Sequence, residues 1–120
     1  MIRPVLTLIA SSVLVMSCAG YKAVTQAPVS EEQALVNELD ESMQTAEQEL
    51  DQIIQATDRP DCQRVCKLRR NICELASRIC LISEQHPEKS KIQQKCQDAI
   101  RRCERARARV SGSCQCPGPV

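Results

Sequence analysis

Eight cysteines lie within residues 62–116: Cys62, Cys66, Cys73, Cys80, Cys96, Cys103, Cys114 and Cys116. Three chemistries are open to such a set. Oxidised, the cysteines form disulfides. As thiolates they bind soft ions such as zinc or Cu(I). As a reactive pair of low pKa they exchange disulfides, commonly from a Cys-x-x-Cys motif. Spacing discriminates among these. Cys66, Cys73 and Cys80 are seven apart, and so are Cys96 and Cys103. Seven residues are about two helical turns, roughly 10.5 Å of rise, too far along one helix for a mononuclear metal site. No Cys-x-x-Cys occurs, although Cys114-Gln115-Cys116 comes close to one. A four-thiolate site for zinc or copper could be assembled only from Cys62, Cys66, Cys114 and Cys116. Thiol-based metal binding or redox activity is therefore the alternative, and structural disulfides are the leading expectation.

Other chemistry is sparse. The most basic run is Arg101-Arg102-Cys103-Glu104-Arg105-Ala106-Arg107-Ala108-Arg109, and Arg101, Arg102, Arg105 and Arg109 form a candidate surface for an anionic partner. Nucleic acid is disfavoured, because base stacking needs aromatic side chains and the chain has no Phe, no Trp and one Tyr. His86 is the only histidine and precedes Pro87, where a solvated turn residue is expected. No Ser/His/Asp set, Gly-rich phosphate loop or pair of catalytic carboxylates can be assembled. The expectation is a non-enzymatic protein without a cofactor.

The cysteines dictate the elements that must carry them. Pro87 disfavours helix at His86 and suits the first turn of a new helix. The heptad-spaced cysteines on either side then form stripes on two helices. In an antiparallel pair of helices, facing residues have a constant total of residue numbers. Cys80 with Cys96 and Cys73 with Cys103 both total 176, which selects the bonds Cys80–Cys96 and Cys73–Cys103 from 105 possible pairings. At the open end Ser111-Gly112-Ser113 ends the helix and lets the chain bend. Nested bonds Cys66–Cys114 and Cys62–Cys116 are expected there, with the crossed pairing left open. Small aliphatic cores usually need such staples.

A further helix precedes this hairpin. Ser30-Glu31-Glu32-Gln33 fits a capping box, with two acids suited to the helix dipole. Val36, Leu39, Met43, Ala46, Leu50 and Ile53 then form a heptad stripe. After the break at Asp58-Arg59-Pro60-Asp61, a second stripe follows: Val65, Leu68, Ile72, Leu75, Ile79 and Ile82. Taken in mirror order across the break, these residues pair with a constant total of 118, as antiparallel neighbours would. The third helix, from about Pro87 to Val110, presents Ile92, Cys96, Ala99, Cys103, Ala106 and Val110. The expected fold class is all-α, an antiparallel helical hairpin stapled by disulfides, with a preceding acidic helix packed to make a three-helix up-down-up bundle. Charge agrees. Residues 30–58 hold nine acids and no base, while residues 59–110 hold fourteen bases and six acids. Intramolecular complementarity is the simplest account of that segregation.

The ninth cysteine, Cys18, belongs to a different device. Arg3 supplies a positive n-region and residues 5–16 an apolar stretch too short to span a bilayer. The stretch Val15-Met16-Ser17-Cys18 resembles the lipobox of bacterial lipoproteins. That resemblance implies cleavage before Cys18, a diacylglyceryl group on its sulfur and anchoring to a membrane through the lipid. Ala19, in place of Asp, implies the outer membrane, facing the periplasm. With Cys18 lipidated, an even number of cysteines remains, in an exported compartment where disulfides persist. The chain as a whole resembles the small cysteine-rich lipoproteins of Gram-negative envelopes. The partner of the arginine surface would then be an envelope protein or an anionic envelope component such as a phospholipid head or lipopolysaccharide. The expected organisation is a signal peptide over residues 1–17, lipidated Cys18 and a tether over 18–29, the acidic helix over 30–57, the stapled hairpin over 60–111 and a Cys/Pro/Gly tail over 112–120.

Overall fold

The computed structural model describes residues 29–118. The expected signal peptide over residues 1–17, the expected lipid site at Cys18 and the expected tether up to residue 28 lie outside the described residues. Among the described residues there are three helices and no strand: α1 (Glu31–Ala56), α2 (Cys62–Gln85) and α3 (Ser90–Ser111). None is long and apolar enough to cross a membrane.

Each boundary has a local cause. At the start of α1 the Gln33 backbone N–H donates to Ser30 Oγ (3.3 Å). The Gln33 side chain does not close the box. Its Nε2 donates one turn onward to Asn37 Oδ1 (3.0 Å). At Thr57 the backbone is extended, and Pro60 follows with no N–H to continue a helix. Asp61 caps α2, its Oδ1 accepting from the backbone N–H groups of Gln63 (3.1 Å) and Arg64 (3.3 Å). This satisfies two of the donors that every helix start leaves without a partner.

The third helix begins at Ser90, three residues later than Pro87, where the sequence places it. The intervening residues form a turn. Lys89 N–H donates to His86 O (3.0 Å), and Gln93 Nε2 donates to both Ser83 O (2.7 Å) and His86 O (3.3 Å). Gln93 thus ties the end of α2 to the start of α3. At the other end of α3, the N–H groups of Ser113 (3.0 Å) and Cys114 (2.7 Å) both donate to Val110 O. The second of these has helical spacing, a single bond in the turn that follows the last residue of α3.

The core draws on all three helices. Val36, Leu39, Met43 and Leu50 come from α1, Val65, Leu68, Ile72 and Ile79 from α2, and Ile92, Ala99, Ala106 and Val110 from α3. Ala46, Ile53, Leu75 and Ile82 complete the two stripes as half-buried members. α2 makes extensive contact with both other helices, and α1 touches α3 more sparingly.

Candidate functional site

All eight cysteines between α2 and the tail are bonded in pairs. Cys80–Cys96 and Cys73–Cys103 join α2 to α3 with Cα–Cα distances of 4.7 and 4.8 Å, inside the range a disulfide requires. The open end differs from the nested expectation of Cys66–Cys114 and Cys62–Cys116. The bonds are Cys62–Cys114 and Cys66–Cys116, each with Cα atoms 5.5 Å apart. The reason lies in the turn. Because Cys114 still bonds Val110 O as a helical residue would, it stays level with the start of α2, where Cys62 stands. Cys62 Sγ lies 3.9 Å from Ser113 O. The chain then reverses, so that Cys116 meets Cys66 one turn further into α2. Oxidised in this way, Cys62, Cys66, Cys114 and Cys116 have no thiolate to offer a metal. Among the described residues no group of three or more His, Cys, Asp or Glu side chains is placed to hold one.

The arginines separate into two kinds. Arg102, expected on the outer surface, is only 6% exposed. It follows Ala99 by three residues and precedes Ala106 by four, and so shares their buried face. Its Nε and Nη2 donate to the two carboxylate oxygens of Glu47 at 2.8 and 2.9 Å, a bidentate fork. Its Nη1 donates to Asp40 Oδ1, while Lys95 Nζ donates to Asp40 Oδ2 at 2.9 Å. Arg109 is exposed as expected and pairs with Asp51 of α1. Arg101 lies 3.8 Å from Asp98 on its own helix. Arg105 is exposed. Of the expected surface of Arg101, Arg102, Arg105 and Arg109, Arg102 is therefore corrected to a buried position facing acids on α1, while the other three are exposed, Arg109 with its charge paired to Asp51.

The remaining acids of α1 follow the same pattern. Glu32 accepts from Lys89 Nζ (2.8 Å), and Glu49 accepts from Arg64 at the opposite end. The hydrogen bond from Lys89, the Glu32 backbone N–H and the charges of Lys89 and His86 bring the Glu32 carboxyl down to about 2. Burial alone would raise the pKa of Asp40. The hydrogen bonds and charges of Lys95 and Arg102 outweigh it and hold that carboxyl below its usual range. The fork from Glu47 pushes Arg102 up, against its own burial, with Asp40 adding to the effect. His86 is not simply solvated. Its ring nitrogens lie 3.8 Å from Glu32 and 3.6 Å from Glu88.

A groove of about 470 Å³ runs between α2 and α3 along the disulfide rungs, and α1 contributes no residue to it. Arg69, Arg70 and Arg107 stand at one end, and Ala76, Cys80 and Ile100 toward the other. From the sequence Cys80 is marked only as a disulfide rung and Arg107 only as part of the basic run, and Arg69, Arg70, Ala76 and Ile100 are not marked at all. The signal was present, because each lies within four residues of a striped cysteine and hence beside the rungs.

Together these features define a class: over the described residues, an all-helical fold of three helices, two of them cross-linked by disulfides and the other joined to them through ion pairs and core packing. No family model matches the chain, and no curated protein or solved structure matches it either.

Proposed function

We propose that the chain is a lipid-anchored, non-enzymatic protein of a bacterial envelope, a three-helix up-down-up bundle that presents a rigid helical surface to a partner. The up-down-up order is supported by the pairings. Rising residue numbers on α2 meet falling numbers on α3 and the turn after it through Cys62–Cys114, Cys73–Cys103 and Cys80–Cys96. Between α1 and α3 the numbers rise together, from Glu32–Lys89 through Asp40–Lys95 to Asp51–Arg109. The lipid on Cys18 and the outer-membrane address rest on the lipobox resemblance.

The observation that carries the reading is the complete oxidation of the eight cysteines. Four disulfides persist where the compartment is oxidising, and their use as cross-links leaves none of these eight cysteines as a thiol for catalysis. A stapled scaffold suits a binding surface, because preorganised groups lose less entropy on association. The test is the intact mass of protein extracted from native membranes, with free thiols blocked first. The expected protein lacks residues 1–17, carries a lipid adduct on Cys18 and gains about 8 Da on reduction, two hydrogens per bond. Four blocked thiols and two disulfides would instead favour the thiol-based metal or redox reading. An intact N-terminus without lipid would remove the anchor.

A further inference from the structure

We propose that the groove between α2 and α3 binds a single-chain anionic amphiphile, an alkyl or acyl chain ending in one phosphate or carboxylate. The head would sit on Arg69, Arg70 and Arg107, and the chain would lie along the disulfide-lined floor. The site rests on the reading of this protein as a binding module and is independent of the lipid on Cys18.

Four observations carry it. The first is an unpartnered donor: Arg107 Nε is buried and donates to no acceptor among the described residues. A buried guanidinium nitrogen without a partner is costly, and rotation of the Arg107 side chain toward an anion in the groove it lines would relieve that cost. The second is charge. Bases directed at α1 are neutralised by acids there, as Lys89, Lys95, Arg102, Arg109 and Arg64 each are. No such pair among the described residues engages Arg69, Arg70 or Arg107.

The third is the polarity gradient. From the arginine end the groove passes the Cys73–Cys103 rung to Ala76, Cys80 and Ile100, the last 46% exposed and free of any covering element among the described residues. Arg69 to Cys80 is roughly 16 Å of helix at 1.5 Å per residue, and a volume of about 470 Å³ is that of a small-molecule site. The fourth is a restriction. Glu74 and Glu104 line the middle of the groove. They would repel a second negative charge, which argues against an acidic peptide lying along it and for a ligand charged at one end only.

The test uses the full chain carrying Cys18→Ser, with its four disulfides formed, titrated calorimetrically with dodecyl phosphate below its micelle concentration. Saturable one-to-one binding is expected. Dodecanol and inorganic phosphate should each bind at least tenfold more weakly, since each lacks one half of the recognition. Arg107→Gln should weaken dodecyl phosphate by roughly 10- to 100-fold, the effect of one charged hydrogen bond. Ile100→Asp, at an exposed position, gives a second variant that should weaken it without unfolding the protein. The apolar N-terminal stretch could take up amphiphile unspecifically, but neither variant would then matter. Absence of saturable binding overturns the proposal, as does equal binding of dodecanol or indifference to both variants in folded protein. Displacement by octaglutamate at lower concentration than dodecyl phosphate would assign the groove to an acidic peptide instead. A failed titration alongside an intact four-disulfide, lipidated mass would refute the groove and leave the module reading standing.

Discussion

Arg102→Ala is the most incisive perturbation of this fold. Arg102 is 6% exposed and Asp40 8% exposed, and the arginine donates to both Asp40 and Glu47. Truncating it leaves Asp40 with Lys95 alone and Glu47 without its fork. Removing one partner of a buried ion pair costs about 3–5 kcal/mol, because the remaining charge stays desolvated. Here the lower end applies. Lys95 keeps its hold on Asp40, and the Glu47 side chain retains access to water. A loss of about 3 kcal/mol is a large share of the 5–15 kcal/mol typical of a domain. The assay is urea denaturation followed by helical circular dichroism, with the disulfides intact. At a slope of about 1–3 kcal/mol per molar urea, the midpoint should fall by roughly 1–3 M. Arg105→Ala, at an exposed position, should stay within about 0.5 kcal/mol of the parent. Replacing Arg102, Asp40 and Glu47 together by Met, Leu and Met should recover most of the loss, since packed apolar residues often match a buried ionic triad. If Arg102→Ala behaves like Arg105→Ala, the network does not hold α1 to α3 and the reasoning fails.

Peptide mapping under non-reducing conditions should recover fragments joining Cys62 to Cys114 and Cys66 to Cys116, and nested fragments would refute the account of the Cys114 turn. Opening the Cys80–Cys96 loop, with a sequence separation of 16, by a double substitution to Ala should cost about 3 kcal/mol on the chain-entropy argument, read as a lower melting temperature. Acid should loosen α1 first. A carboxyl with a depressed folded pKa stabilises fully above its unfolded value and loses that contribution as pH falls through the folded one. Glu32, lowered from 4.5 to about 2, and Asp40, lowered from 3.8, place that loss below about pH 4.5, and amide exchange in α1 should accelerate there before exchange in α2 or α3 does. Met43→Ala, at a fully buried position, should cost about 2–5 kcal/mol, and Asp61→Ala about 1 kcal/mol through the lost cap of α2, both by the same urea assay.

What was legible in the sequence was whatever repeats with a period. The stripes of α1 and α2 and the rungs at Cys73 and Cys80 follow from spacings of three, four and seven, and the constant total of 176 extends further than the sequence reading took it. Cys62 and Cys114 share that total, because in the turn after α3 the Cys114 N–H still reaches Val110 O and holds Cys114 near the end of the helix. The helix does end at Ser111 with Gly112 as its cap, as the sequence implies; the nested pairing fails because the turn that follows is tight enough to keep Cys114 level with Cys62. Arg102 was obscured for another reason. A run with arginine at 101, 102, 105, 107 and 109 puts charge on every face of a helix, and composition cannot say which face is turned inward. The Ala99 and Ala106 positions on either side could have said so. These two corrections bear on one physical division. α1 carries no cysteine, and all four disulfides belong to α2, α3 and the segment after them. α1 is retained by its apolar stripe and by carboxylates clamped to Lys89, Lys95, Arg102 and Arg109. Two agents should therefore attack different halves of one small core. Reduction at neutral pH releases α2 from α3 while the ion pairs persist. Acid with the disulfides intact releases α1 while the covalent pair persists, and the groove, to which α1 contributes nothing, should survive that second treatment.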